Sequence, residues 1–208
     1  MMGLFQKDVR NAKRSFWAGL LLGLPLFLIL AISNQTEPDQ FVSWRTAFWF
    51  SLFFASTAIF YRSFGFESEN RNFGVYTALK VRPWKILLSQ SLVQVLSFFF
   101  LGLIYVLFAN MWWSPKDLNL SSLLTILLIV ALTLAPTASF IGLLLQKERE
   151  ILFPLFYLPF ASPVIIGAHS LSLGDSSFWL YILGIFALIG GFLSFFLFEF
   201  FFDELTEV

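Results

Sequence analysis

The stretch Ile86–Met111 reads ILLSQSLVQVLSFFFLGLIYVLFANM and contains no Asp, Glu, Lys or Arg. A helix crosses the hydrocarbon core of a bilayer with roughly 17–25 mostly apolar residues, so this stretch is long enough to span a membrane. The whole chain of 208 residues is 58% hydrophobic and 12% charged, whereas soluble domains carry about 25% charged residues. These features predict an all-α integral membrane protein, with residues 1–208 forming a single transmembrane domain.

Six apolar runs of this kind are predicted to be transmembrane helices. They are Phe16–Ile32, about Thr46–Tyr61, about Ile86–Met111, about Leu120–Leu145, Ile151–Ala168 and about Phe178–Phe202. The second run is short. The fourth and fifth are separated only by Gln146–Glu150, whose four charges place this pentapeptide in a tight loop at a membrane surface.

The Lys and Arg residues are expected almost entirely on one side of these spans. With the N-terminus in the cytoplasm, the inner segments hold 11 of the 13 basic residues and the outer segments hold 2. Because basic loops stay in the cytoplasm, both termini are expected there. Residues 1–15 combine basic positions with Phe5, Val9 and Ala12 at helical spacing, which favours an amphipathic helix in the inner interface. A basic tail that only sets topology is the alternative.

Few residues in the chain could carry out catalysis or hold a metal. The chain has no cysteine, and its single histidine, His169, is expected in an outer loop, where one imidazole is a poor metal or haem site. Glu199 is expected near the inner interface, and a proton relay would need a second buried acid or base, which no other span offers. The phosphate-binding motif GxxxxGK[ST] is absent. We expect no catalytic, cofactor-binding or metal site, and the net charge of zero argues against a nucleic-acid partner.

Small residues mark two places where helices could pack closely. Gly19 and Gly23 form a GxxxG pattern in the first span. Gly190 and Gly191 form a similar notch with Ser194 in the sixth span. Such notches let two helix backbones approach. Packing within one chain and dimerisation both remain open as interpretations.

Prolines are expected to kink or break two of the spans. They are Pro136 in the fourth span and Pro154, Pro159 and Pro163 in the fifth. Each proline removes a backbone donor and cannot sit in an ideal helix interior without bending it. A gate or a substrate-lining surface is one interpretation, and static accommodation of a bend is the other.

Charge is concentrated between the second and third spans, in Arg62–Lys85 (RSFGFESENRNFGVYTALKVRPWK). This segment runs for 24 residues, from 62 to 85, and is longer than ordinary helix connections. It mixes acids with bases, so it is not simply an anchor for lipid headgroups. Pro83 is expected in the first turn of the third span, where it pushes Arg82 out of helical geometry.

The middle of this segment has the pattern of a short amphipathic helix. Phe73, Tyr76 and Leu79 recur every three residues, and Asn70 or Asn72 could cap such a helix. Exposed aromatic residues rimmed by charge are typical of a protein docking site. A helix half-buried in the membrane interface, with its aromatic side chains in lipid, is the alternative.

The order of these elements resembles the ABC-2 type exporter permeases. Three stretches resemble one branch more closely, the CcmB family, which is the B-type membrane subunit of the cytochrome c maturation haem exporter. The stretches are Arg62-Ser-Phe64 followed by acids, Gly74, Leu79 and Pro83; then LAPTASFIG at 134–142; then LFPLFYLPFASPVIIG at 152–167. The chain departs from the family pattern at Thr77, where members tend to carry an acid, and in its fourth loop, which is usually basic and glycine-rich but here reads Lys147-Glu-Arg-Glu150.

The resemblance implies a permease subunit in the bacterial inner (cytoplasmic) membrane, usually present in two copies. It implies a separate cytoplasmic ATPase that binds the ATP, and a haem-handling membrane subunit that supplies the histidine ligands, with haem as cargo. Residues 62–85 would then form a coupling segment for the ATPase. Its expected coupling residues are Glu67, Glu69, Arg71, Gly74, Tyr76, Leu79 and Pro83. The alternatives are an ABC-2 exporter for a lipid, polysaccharide or drug, and an assembly scaffold that does not transport.

Overall fold

The computed structural model describes residues 2–36, 43–69, 78, 80–115, 119–145, 149–174 and 177–206, and six α-helices account for nearly all of them. They are α1 (Met2–Thr36), α2 (Trp44–Glu69), α3 (Pro83–Trp113), α4 (Leu120–Leu144), α5 (Arg149–Ser172) and α6 (Ser177–Thr206). The shortest, α5, has 24 residues, and a rise of about 1.5 Å per residue makes it long enough for a hydrocarbon core of about 30 Å. The predicted all-helical architecture is confirmed over these residues.

Five of these helices are long and apolar enough to cross a membrane. The candidate spans are Gln6–Ser33, Pro83–Trp113, Leu120–Gly142, Leu152–Ser172 and Phe178–Phe201. The chain is therefore a multi-pass helical membrane protein. Over its described residues α2 is not among these candidate spans, so the sixth span and the ABC-2 arrangement remain predictions.

The centre of the bundle is formed by α2, α3 and α4, each of which contacts four other helices. In α2, residues 44–61 are almost wholly enclosed, and only Thr46 and Phe50 are exposed. Since α1, α3, α4 and α5 cover it, α2 can keep several hydroxyl-bearing residues that a lipid-facing helix would not favour. α6 lies at the periphery and is the most exposed of the five candidate spans. Only 17% of its most apolar 18-residue stretch is buried.

The N-terminal residues do not form a separate helix, because α1 is continuous from Met2 to Thr36. Residues 2–15 and the first span therefore share one helix. The physical reason lies in Asp8 and Ser15, which are two helical turns apart on one face and are both buried against the bundle. This burial keeps the first turns of α1 aligned with its apolar part. Whether residues 1–15 lie in the membrane interface remains a prediction.

The charged segment between the second and third spans is partly helical. Residues 62–69 continue α2 without a break, even though Gly65 costs a helix interior about 1 kcal/mol. At the other end, Pro83 is the first residue of α3, and Arg82 is extended with φ −63° and ψ 132°. The predicted effect of Pro83 on local geometry is confirmed. Lys80 lies just before it with a left-handed φ of 51°, which marks a sharp change of chain direction.

The prolines were expected to kink or break their helices, and they do not break them. α4 runs through Pro136, and α5 runs through its three prolines. At Pro163 a hydroxyl replaces the lost donor, since Ser162 Oγ donates to Pro159 O, the carbonyl four residues before Pro163, at 3.4 Å. Pro136 is buried, whereas the α5 prolines are exposed or half-buried, and Pro154 lines an open cavity of about 340 Å³ with Thr57, Ala58 and Tyr61 of α2.

Candidate functional site

The predicted coupling segment is described only at its two ends. Glu67 and Glu69 lie in the last turns of α2, and Pro83 begins α3. Between them, the structure's described residues include Ala78 and Lys80 but not the predicted aromatic helix. The residues named from the sequence that lie outside the described part are Asn70, Arg71, Asn72, Phe73, Gly74, Tyr76, Thr77 and Leu79. Their coupling role remains a prediction.

Aromatic side chains hold α2 against its neighbours at this end of the bundle. The Phe60 ring lies 6.1 Å from that of Phe98 on α3 and 5.7 Å from that of Tyr157 on α5, centroid to centroid. Tyr157 is fully buried and shares a hydrogen bond of 2.8 Å with Ser56 Oγ of α2. The part of α2 that leads into the charged segment is therefore fixed by rigid aromatic packing and one buried polar bond.

A second set of contacts joins α1 to α2 through the predicted GxxxG pattern. A Cβ placed on Gly19 would lie 2.5 Å from Ile59 Cγ1, and one on Gly23 would lie 2.8 Å from the Ala55 Cβ. Backbone oxygens of α2 are also close, with Ser51 O at 2.9 Å from the Gly23 position. These two glycines therefore pack within the chain, and no space is left there for a side chain.

The second predicted notch is only half used. A Cβ on Gly190 would lie 2.7 Å from Thr137 Oγ1 of α4, and Ser194 is buried on the same side of α6. A Cβ on Gly191 would meet no atom within 4 Å, so Gly191 takes no part in packing among the described residues. The acid expected near this end, Glu199, is exposed on α6 and does not point into the bundle.

The buried polar groups that the sequence interpretation missed lie on α3. Their common feature is that they occupy the first half of a long apolar helix and are at most 9% exposed. We refer to Ser89, Gln90, Ser91, Gln94 and Ser97 as the polar face of α3. Polar residues are costly inside a membrane bundle, so a concentration of them marks a functional candidate.

Two hydrogen bonds connect the polar face to neighbouring helices. Ser89 Oγ donates to Asp8 Oδ2 of α1 at 2.5 Å, and Ser139 Oγ of α4 donates to Gln94 Oε1 at 2.7 Å. Asp8 is 7% exposed, so it is a buried acid of the kind that the sequence interpretation did not find. The polar face thus lies between α1 on one side and α4 on the other.

Three atoms of the polar face have no hydrogen-bond partner among the described residues: Gln90 Oε1, Ser91 Oγ and Gln94 Nε2. An unpaired buried donor or acceptor costs about 1–3 kcal/mol. The face therefore offers one amide donor and one amide acceptor that are free to bond a polar molecule. The sequence carries a signal for this feature, since SQSLVQVLS at 89–97 interrupts an otherwise apolar span.

At the opposite end of the bundle, His169 lies in the last turn of α5, not in a loop as expected. Its Nε2 is 3.1 Å from Thr46 Oγ1, at the start of α2. Beside it, Trp49 Nε1 donates to Ser172 Oγ at 3.2 Å. A cavity of about 30 Å³ opens next to this contact, lined by residues that include Arg45 and Ser172. His169 therefore joins α5 to α2.

Nothing in the described part of the chain gathers three or more His, Asp or Glu side chains into a group that could hold a metal ion. The polar face of α3 offers a hydrogen-bond donor and an acceptor among the described residues. Comparison with protein-family models, with curated proteins and with solved structures found no match to this chain.

Proposed function

We propose that this chain is the membrane (permease) subunit of an ATP-driven exporter of the ABC-2 type. The resemblance at residues 62–83, 134–142 and 152–167 supports a place in the CcmB branch, with haem delivery for cytochrome c maturation as the function. In this proposal the chain is not an enzyme. It passes the work of a separate cytoplasmic ATPase to the membrane helices.

The observation that carries the proposal is the continuity of the acidic end of the coupling segment with α2. Residues 62–69 extend α2 by about 12 Å beyond Tyr61, at 1.5 Å per residue. A helix is stiff along its axis, so a force applied at Glu67 or Glu69 reaches the enclosed part of α2. Four helices contact α2 and would move with it or against it.

The other end of the segment supports the same mechanism. Pro83 holds Arg82 extended and starts α3 at a defined residue, so the segment joins α3 without a flexible helix end. α2 and α3 contact each other and are both central. A displacement of the segment would therefore act on two central helices at once.

The haem branch of the proposal requires no metal ligand from this chain. His169 is held by Thr46 at the end of the bundle where α2 begins. In the proposal, the histidine ligands for haem come from the haem-handling membrane subunit, and this chain has a coupling role. An ABC-2 exporter with another cargo uses the same helices and differs in its partners.

Co-purification from native membranes tests the proposal. A tagged chain is expected to retain an ATPase and a haem-binding membrane protein, and Glu69→Lys combined with Tyr76→Asp is expected to release the ATPase. Glu199→Lys, which reverses an exposed acid on α6, is the matched control and should leave the ATPase bound. Retention of the ATPase by the double variant would overturn the coupling assignment.

The partners that co-purify also separate the two export functions. If an ATPase but no haem-binding protein co-purifies, and a deletion strain still attaches haem to c-type cytochromes normally, the cargo is a lipid, polysaccharide or drug and not haem. Loss of haem attachment in that strain, restored by the wild-type chain, is the result expected for the CcmB branch. An unchanged phenotype in strains whose ATPase cannot hydrolyse ATP would favour the assembly scaffold.

A further inference from the structure

The polar face of α3 has a chemical property that the proposed coupling role does not use. Within residues 90–94 it presents an unpaired amide oxygen, an unpaired hydroxyl and an unpaired amide nitrogen among the described residues. All three side chains are at most 4% exposed. Gln90 and Gln94 are four residues apart, so their side chains lie on the same side of the helix, one turn apart.

The two glutamines need a partner more than the buried hydroxyls do. A serine or threonine in a helix can bond the carbonyl four residues earlier, as Ser97 does with Val93 O at 2.9 Å and Ser194 does with Gly190 O. The hydroxyl of Ser91 can satisfy itself in the same way by rotation. A glutamine side-chain amide has two donor hydrogens and an acceptor oxygen. Its own turn of helix does not supply hydrogen-bond partners for all of them.

Other unpaired buried atoms are distributed differently. Among the described residues they belong to Ser15 of α1, Ser51 of α2, and Tyr105 and Trp113 of α3, with one unpaired atom in each side chain. Only α3 brings three such atoms into fewer than two turns. The α2–α5 contact, by comparison, pairs its buried Ser56 with Tyr157 at 2.8 Å.

The contact between α3 and α4 is where a polar molecule could reach these groups. Ser139 Oγ already donates to Gln94 Oε1 across this contact at 2.7 Å, which leaves the Gln94 Nε2 hydrogens to bond elsewhere. Thr133 and Thr137 of α4 are also buried, and Pro136 lies between them and weakens the local backbone ladder. This contact therefore combines polar groups with a helix that can bend.

We propose that Gln90, Ser91, Gln94 and Ser139 form a water-binding site inside the membrane bundle, and that water enters the bundle between α3 and α4. Water both donates and accepts, so a single molecule can accept from Gln94 Nε2 and donate to Gln90 Oε1. The same chemistry would serve the hydroxyl or carbonyl end of a transported molecule. The site goes beyond the proposed function and does not depend on an ATPase.

Because the chain has no cysteine, the site can be probed with single introduced thiols. Ser139→Cys is the probe and Ser56→Cys is its matched control, since both serines are fully buried and each makes one hydrogen bond to another helix. The full-length variants in open membrane fragments are treated with a small charged methanethiosulfonate, which reacts with thiols that water reaches. Unchanged melting temperatures show that both proteins are folded.

We expect Ser139→Cys to react at least about tenfold faster than Ser56→Cys, because opening at the polar face lets unpaired amides gain hydrogen bonds and opening at Ser56 does not. Adding Gln94→Leu, which keeps the side-chain bulk and removes the amide, should slow the reaction of Ser139→Cys by about the same factor. Ser91→Cys provides a second probe on α3 itself and is expected to behave as Ser139→Cys does.

Equal reaction rates for the probes and the Ser56→Cys control would overturn the proposal. This result would mean that the two glutamine amides bond to each other along α3 and stay dry. Fast labelling of Ser139→Cys that persists after Gln94→Leu would also overturn it, because water would then reach α4 without being held by the amide. Neither outcome bears on whether an ATPase binds the coupling segment.

Discussion

Replacing Gly23 with alanine is expected to force α1 away from α2. The added Cβ would lie 2.8 Å from the Ala55 Cβ and 2.9 Å from the Ser51 backbone oxygen, and it would overlap the Tyr105 hydroxyl. The Tyr105 side chain can rotate to another conformation, but the Ser51 backbone oxygen can move only if α2 moves. Overpacking of this kind costs about 1–3 kcal/mol, and the better helix propensity of alanine returns up to about 1 kcal/mol.

Because a backbone oxygen is among the contacts, we expect a cost in the upper part of this range, about 2–3 kcal/mol. The net loss is then about 1–2 kcal/mol, which corresponds to a fall of about 2–8 °C in the melting temperature of a chain of this size. Thermal unfolding is measured on the purified protein in nanodiscs. Unfolding is monitored as the loss of the monodisperse gel-filtration peak. Gly191→Ala is the matched control, because its Cβ would meet no atom within 4 Å. It should raise the melting temperature slightly through helix propensity alone.

A double variant tests the stated geometry. Tyr105→Phe removes the atom nearest to the new Cβ, and the Tyr105 hydroxyl has no partner among the described residues, so its loss alone should cost little. Gly23→Ala with Tyr105→Phe should therefore melt higher than Gly23→Ala and still lower than the wild type, because Ala55 and Ser51 remain in place. A Gly23→Ala protein as stable as the Gly191→Ala protein would refute the reasoning.

Two further sets of substitutions test buried polar bonds. Ser56→Ala and Tyr157→Phe remove the two ends of a 2.8 Å hydrogen bond, so in a double-mutant cycle their destabilisations should fall short of additivity by about 0.6–1.7 kcal/mol, and strict additivity would exclude the bond. Asp8→Ala removes the acceptor of Ser89 Oγ and should cost about 1.5–3 kcal/mol in thermal unfolding. Asp8→Asn should cost less because it keeps a carbonyl oxygen, and equal losses for the two variants would show that the bond does not contribute.

The helical bundle could be predicted because lipid imposes a strong rule on sequence. Long uncharged runs such as Ile86–Met111 have no other stable conformation in a membrane, and the described helices follow these runs, with extra turns on α1, α2, α5 and α6 and almost the predicted bounds on α4. Pro83 also acted locally, through its fixed φ and missing N–H, so its effect on Arg82 followed from the sequence. The helix ends were harder, since α2 extends to Glu69 with no glycine or proline directly after it, and α5 extends past His169 to Ser172, where Gly174, with a left-handed φ of 89°, follows.

The candidate site depended on contacts that spacing does not specify. Ser89–Ser97 could be recognised as polar positions in an apolar span, but their burial depends on which helices lie beside α3. Asp8 falls within residues 1–15, for which the sequence favours an interfacial helix, and its burial depends on the packing of α1 against the bundle, where it accepts a hydrogen bond from Ser89 of α3. Likewise, Gly190 and Gly191 are equivalent in the sequence, and their difference comes from the position of α4.

The enclosure of α2 has a consequence for how the protein is made. A segment enters the lipid during synthesis according to its own hydropathy, and over residues 44–61 α2 falls below the level of the other helices. α1 is the helix synthesised immediately before it, and Gly19 and Gly23 offer α2 a surface that fits its backbone. We therefore expect α2 to enter the membrane paired with α1. A side chain at Gly23 would lower the yield of correctly threaded protein as well as the stability of the finished fold.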